Sequence, residues 1–295
     1  MTVEFDFTSG KGHTDENFPV ASRLIRAELR PAILAFYRFA RAADDVADHE
    51  TASADQKYAE LDRMEAGLRG DTDASRVGGA LRAELQKRGL TDRHALDLLE
   101  AFRRDVGKHR YADWAELMDY CRYSAAPVGR FVLDLHGESP RTWPLNDSLC
   151  AALQVINHLQ DCAKDYRELD RVYLPLDVLA EVGLRVEALS APQASPKLKT
   201  VIAGLARRTG TLLDHARPFA DQIADRRLAL EVGAIQNLAE SLTRRLTRRD
   251  PLSQRVHHRP GEALVLAMFG GLRVAGRRLG RLFGQGPASL HGGRG

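Results

Sequence analysis

Apolar residues recur at three- and four-residue spacing through most of this chain, and almost no stretch alternates between apolar and polar. That period is the mark of helices packed on one face, so the sequence predicts an all-α fold. A first helix is expected over 18–29, and Pro31 suits the opening turn of a second, where a missing N–H costs nothing. The second helix carries Ile33, Phe36, Tyr37, Ala40, Asp44 and Asp48 along one side.

Further helices are predicted over 55–70, 80–88 and 92–109, with Gly70 and Gly89 marking breaks. Residues 112–136 read as one helix bent or interrupted at Pro127, and a loop over 137–146 leads to a helix over 147–167 whose start is favoured by Asn or Asp capping. Three prolines make 170–196 irregular. Helices over 197–223, 226–248 and 261–283 close the pattern. No low-complexity linker interrupts it, so one helical domain over 1–283 with a flexible tail over 284–295 is expected.

Composition narrows the class. With 295 residues, 44% hydrophobic and 28% charged positions, the chain is globular rather than disordered or fibrous. The longest apolar run, 263–269, falls far short of the roughly 20 residues that span a bilayer. Cys121, Cys150 and Cys162 form no CxxC pair, and the first residues show no signal-peptide pattern, so a cytoplasmic protein with free thiols is expected. The net charge of +3 hides an asymmetry: residues 244–295 hold 11 arginines against Asp250 and Glu262, and the rest is mildly acidic. Only Phe269 and Phe283 accompany those arginines, and no nucleic-acid-binding motif is present, which argues against nucleic acid as a partner.

Two aspartate pairs change the picture most. Asp44/Asp48 and Asp161/Asp165 are each spaced four apart, which places both carboxylates of a pair on one helix face about 6 Å apart along the axis. The first pair extends the apolar line through Phe36 and Ala40. The second continues a polar line through Gln154 and Asn157 on a helix otherwise rich in apolar residues. Polar groups on a core-facing line need partners, and like charges four apart repel. Hard oxygen donors of this kind suit magnesium, whose shell is commonly completed by water and phosphate oxygens. The inference is a magnesium-bridged diphosphate site between two facing helices. A di-iron bundle would need Glu-x-x-His pairs, and the chain has none.

FYRFARAADDVAD (36–48), AFRRDVGKHRYADWAELMDYCRYSAAPVG (101–129) and ALQVINHLQDCAKDYRELDRVYLP (152–175) resemble the two Asp-rich signatures and the central segment of the squalene/phytoene synthase family. The resemblance runs from about residue 17 to 282. DENFPVAS (15–22) and NHLQDCAKDY (157–166) are most similar to its bacterial, hopanoid-linked branch, in which presqualene diphosphate loses diphosphate and water captures the carbocation to give hydroxysqualene. The resemblance implies the isoprenoid synthase fold, Mg2+ held by Asp44, Asp48, Asp161 and Asp165 with Asn157 assisting, and diphosphate held by Arg41 and Arg171. It implies that Tyr120 serves the cationic steps beside Gln154, and that Phe18, Ala125, Ala126, Val128 and Gly129 accommodate the prenyl chains. It also implies other squalene-pathway enzymes that make the substrate and reduce the product.

Two positions depart from the family pattern. Gln160 stands where an Arg often precedes the second signature's first Asp, removing a cation from near the diphosphate, and EVGAIQNLAESLTRRL lacks a tyrosine that many condensing members carry. Both fit a specialised branch better than a general head-to-head condensing synthase, which is the competing reaction. A catalytically silent scaffold or prenyl-lipid carrier is the other alternative, and retention of all four aspartates speaks against it. No Gly-rich dinucleotide fingerprint follows a strand, which disfavours a reductive synthase. Because substrate and product would be lipids, GEALVLAMFGGLRVAGRRLGRLFG (261–284) is expected to form a last core helix that also rests on an anionic membrane surface at the inner face of the membrane.

Overall fold

The computed structural model describes residues 25–71 and 73–284, with side chains to residue 280. Twelve α-helices follow one another among the described residues: α1 Arg30–Ala47, α2 Ala54–Arg69, α3 Arg76–Arg88, α4 Arg93–Gly107, α5 Trp114–Ser124, α6 Ala126–Leu135, α7 Trp143–Leu169, α8 Leu176–Glu181, α9 Pro196–Ala216, α10 Phe219–Gln222, α11 Arg226–Leu246 and α12 Pro260–Gly284. No strand occurs among them; a lone parallel bridge joins Arg110 and Val172. The all-α expectation holds.

Several boundaries differ from the pattern, each for a local reason. Pro31 does sit in the first turn of α1, and among the described residues a short 3-10 turn, Ala27–Leu29, precedes it. Residues 18–24 of the expected first helix, Phe18 included, lie outside the described residues, as do 285–295 of the expected tail. Helix α3 starts four residues early because the Ser75 hydroxyl accepts from the Gly78 amide and caps it. The interruption expected near Pro127 divides 112–136 into two helices: Ala125 leaves the helical region (φ −122°, ψ −48°) and Pro127, lacking an N–H, sits in the first turn of α6. Helix α7 begins at Trp143 rather than at an Asn or Asp cap, with Pro144 in its first turn. Asn146 is instead buried, donating to the Ala126 carbonyl at 3.3 Å. The irregular stretch after α7 contains α8 and a 3-10 turn, Val186–Ser190.

Two apolar cores form. The smaller gathers α1 to α4 around Phe39, Leu61, Leu81 and Leu98. The larger gathers α5, α7, α9 and α11 around Leu117, Ile156, Leu205 and Leu242. Helix α6 joins them, giving Phe131 and Leu135 to the first and Leu133 to the second. The cavity described next lies in the seam between them, with walls from α1 on one side and α7 and α11 on the other. Helix α12 lies along α11, and their backbones nearly touch: a Cβ on Gly270 would stand 2.3 Å from the Gly233 carbonyl oxygen.

Candidate active site

The aspartate pairs predicted on facing helices do face each other. Asp44 and Asp48 at the end of α1, and Asp161 and Asp165 in the second half of α7, line one polar chamber of about 330 Å3. Gln154 and Asn157 line the same chamber, so the whole polar line of α7 points into it. Crowding perturbs the carboxylates. Burial and then the charge of Asp48 push Asp44 up to about 7, against the pull of Arg41. Burial and then Asp161 push Asp165 up to about 7.

Arg41 lines this chamber and pairs along its own helix, with Asp44 at 2.8 Å and Asp45 at 2.7 Å. Arg171 reaches it by a sharp reversal of the chain. Asp170 ends α7 in the left-handed region (φ 49°, ψ 32°), an uncommon conformation that Asp tolerates better than most residues. Arg110 clasps the Asp170 carboxylate and carbonyl, while the Val172 amide donates to the His109 carbonyl at 2.9 Å. The buried Arg171 guanidinium thereby donates to the Asp48 carboxylate, to the Ala47 carbonyl at 3.2 Å and to the Asp105 carbonyl at 3.1 Å.

Asp105, Tyr173 and His158, none of them among the candidate residues, complete this wall. Asp105, in the last turn of α4, is buried; the Tyr120 hydroxyl donates to it at 2.7 Å and the Tyr173 hydroxyl at 3.4 Å. Burial pushes Asp105 up to about 6, although Arg171 pulls it down. The Tyr120 phenol is raised well above its ordinary value by burial and by Asp105, so it stays neutral. His158 lines the chamber and stacks on Tyr173 with ring centroids 3.5 Å apart. Burial depresses it to about 3, so it is uncharged. Asp105 was within reach of the sequence: it extends the buried line of Leu98 and Ala101, as Asp44 extends Phe36 and Ala40.

Tyr37, Ala40 and Asn157 border both this chamber and a second, mainly apolar one of about 390 Å3. Phe36 and Phe131, stacked at 4.1 Å, line the second together with Leu149, Leu153 and Ile235. Val128 and Gly129 line it as expected. Ala125 and Ala126 do not: both are buried at the α5–α6 break, where the Ala126 carbonyl binds Asn146, so they shape the wall from behind. Glu231, also buried, borders the apolar chamber, and nothing in the sequence pattern singled it out. Gln160 is turned away, donating to the Val256 carbonyl before α12, so this departure from the family pattern does not bear on the chamber.

The donor set suits a hard divalent cation in one respect and sets a limit in another. All candidate ligands are carboxylate or amide oxygens, their charges raise one another's proton affinity, and cations would relieve that repulsion. Yet among the described residues no three acidic, His or Cys side chains are grouped closely enough to hold an ion alone. The coordination left open fits ions that keep waters and share phosphate oxygens.

A polar chamber with paired aspartates opening into an apolar one is suited to an amphiphile with an anionic head and long hydrocarbon tail. Comparisons with known proteins agree. Residues 11–262 match the family model described as squalene/phytoene synthase. The chain is 53% identical over 289 residues to the hydroxysqualene synthase of Rhodopseudomonas palustris, covering 98% of each. It is 54% identical over 271 residues to that of Zymomonas mobilis, covering 91% of this chain and 90% of the relative. Among solved structures, the squalene synthase HpnC from Alicyclobacillus acidocaldarius superposes with a TM-score of 0.66 at 33% identity, covering 78% of this chain and 87% of that one. With such identity along nearly its full length, this chain belongs to the squalene/phytoene synthase family and is an isoprenoid-processing enzyme.

Proposed function

We propose that the protein is a hydroxysqualene synthase, converting presqualene diphosphate and water into hydroxysqualene and diphosphate. The observation that carries this reading is the two-chamber cavity, joined at Tyr37, Ala40 and Asn157, in a chain about half identical to relatives bearing that name. The activity is assigned to one domain over 1–283. Asp44, Asp48, Asp161 and Asp165, with the Asn157 amide, would hold Mg2+, which neutralises charge on the departing diphosphate.

The chain's own groups do the rest. Arg41 and Arg171 place positive charge at the chamber wall, where it stabilises the leaving group. The carbon–oxygen bond to diphosphate then breaks with both electrons on oxygen. Asp105 fixes the Tyr120 ring by its hydroxyl, with Tyr173 held beside it, and a dry aromatic face stabilises a nearby cation by about 1–2 kcal/mol. Phe36, Phe131, Leu149 and Leu153 hold the hydrocarbon and exclude bulk water, so capture is limited to water admitted beside Gln154 and Asn157. One carbon–oxygen bond to water forms and one proton is released.

A head-to-head condensation must supply this substrate, and a reduction must consume the alcohol. Purified protein incubated with presqualene diphosphate and Mg2+ should yield hydroxysqualene, and Asp161→Asn should lower the yield at least about 100-fold. Unchanged substrate refutes the reading. Presqualene diphosphate formed from farnesyl diphosphate alone would reassign the protein to condensation.

A further inference from the structure

Helix α12 is apolar on the side that faces away from the protein. Its inner face packs on α11 through Gly270 and Val274, and the Asn237 amide donates to the Leu266 carbonyl at 2.7 Å. Arg277 pairs with Asp221 at 3.0 Å, and Arg278 donates to the Ala220 and Ile223 carbonyls, so the helix cannot roll about its axis. The outward face presents Leu264, Val265, Met268, Phe269, Leu272 and Leu279, each 50–64% exposed. At about 100° per residue these fall within one arc of roughly 140°. Ala275 and Gly276 are the other residues in that arc between 264 and 279, so it carries no charge over four turns. Of the large apolar side chains exposed among the described residues, only Val128 lies elsewhere.

We infer that this face of α12 docks the enzyme on an anionic lipid bilayer, lying flat in the interface. Charge complementarity selects that occupant. Arg255 and Arg259 stand exposed before the stripe, and Arg273 is exposed along its edge. The one acidic side chain from 255 to 280, Glu262, is tied to Arg245. A second copy laid antiparallel on the stripe would bring Arg259 of one chain toward Arg273 of the other, like charge against like. A bilayer bearing anionic headgroups meets both the apolar arc and its basic margins. No helix among the described residues is long and apolar enough to cross a membrane, and α12 is held lengthwise against α11, so the contact is in the plane of the surface.

Docking stands apart from the reaction proposed above; a lipid substrate gives it a use but does not carry it. The full chain is floated with phosphatidylcholine vesicles with and without phosphatidylglycerol. The anionic vesicles should retain about tenfold more protein or better, and 0.5 M salt should erode that preference. Leu264→Gln/Met268→Gln/Leu272→Gln should abolish flotation with its melting temperature and its turnover on detergent-dispersed substrate unchanged. Arg255→Gln/Arg259→Gln/Arg273→Gln should lose the preference for anionic lipid. The inference is overturned if wild type stays unbound, if the triple Gln variant floats like wild type, or if sedimentation velocity shows a dimer that this variant dissolves while vesicles bind neither protein.

Discussion

Replacing Arg171 by Met tests the wall that joins α1, α4 and the end of α7. The guanidinium is 6% exposed and gives three hydrogen bonds, to the Asp48 carboxylate and to the carbonyls of Ala47 and Asp105. Methionine fills much of the volume and satisfies none of them. Removing one partner of a fully buried ion pair costs about 3–5 kcal/mol, and with 34% of the Asp48 side chain exposed to water the cost here is lower, at about 2–3 kcal/mol. At about 2–4 °C per kcal/mol for chains of roughly this size, the melting temperature should fall by about 4–12 °C. Arg171→Lys restores the charge but cannot reach three acceptors with a planar fork, and should fall between the two.

A pH series separates this account from simple loss of packing. Asp105 is raised in the fold to about 6 from an ordinary 3.8, so the folded state holds its proton more tightly than the unfolded one. Such a group costs nothing below the unfolded value and costs stability as pH rises through the folded one. Arg171 pulls Asp105 down; without it the folded value climbs further. The deficit of the Met variant, read from urea midpoints, should therefore grow between pH 5.5 and 8. A deficit that is flat with pH, or smaller than about 1 kcal/mol, would refute the proposed coupling of Arg171 to Asp105.

Gly129 and His158 give sharper local tests. A Cβ at Gly129 would stand 2.0 Å from Asn146 Oδ1 and 2.7 Å from Cys150 Sγ, so Gly129→Ala must displace a buried amide that holds the α5–α6 break. It should cost about 1–3 kcal/mol in chemical denaturation and narrow the apolar chamber; wild-type stability would show that this wall yields freely. His158, depressed to about 3 by burial, binds a proton in the unfolded chain well before it does so in the fold. Its contribution is therefore intact above about pH 6.5 and is lost as pH falls, amounting to about 2 kcal/mol at pH 5. His158→Phe keeps the stack on Tyr173 and should flatten that loss; parallel acid sensitivity in both proteins would count against it.

Periodicity made the faces legible but not their meetings. The polar line of α7 and the carboxylate line of α1 could be read because helix geometry alone fixes which residues share a side. That Arg171 would return to Asp48, 123 residues away, depends on a left-handed turn at Asp170, a residue type that adopts it only occasionally. Tyr173 escaped for the same reason, and so did the partners of Asp105, though not its place on the buried line of α4: these contacts arise where α4, α5 and the segment after α7 converge. Ala125 and Ala126 show the opposite error. Small residues near a proline were expected to widen the cavity, whereas burial and the hydrogen bond from Asn146 make them part of its supporting wall.

The carboxylates also predict how the fold responds to its ligands. Asp44 and Asp165 are each raised to about 7 by burial and by a neighbouring aspartate. A cation bound only by the folded state stabilises it by about 2.7 kcal/mol at a hundredfold excess over its dissociation constant, or about 5–11 °C in melting temperature. No three acidic, His or Cys side chains are grouped to hold an ion among the described residues, so Mg2+ alone should act weakly. Inorganic diphosphate alone should also act weakly, since it meets the four aspartates as like charges. Added together they should raise the melting temperature by more than the sum of the two shifts, because each supplies what the other lacks. Asp161→Asn should remove that excess. An additive response, or an excess that survives Asp161→Asn, would mean that the paired aspartates do not form a shared cation–diphosphate site.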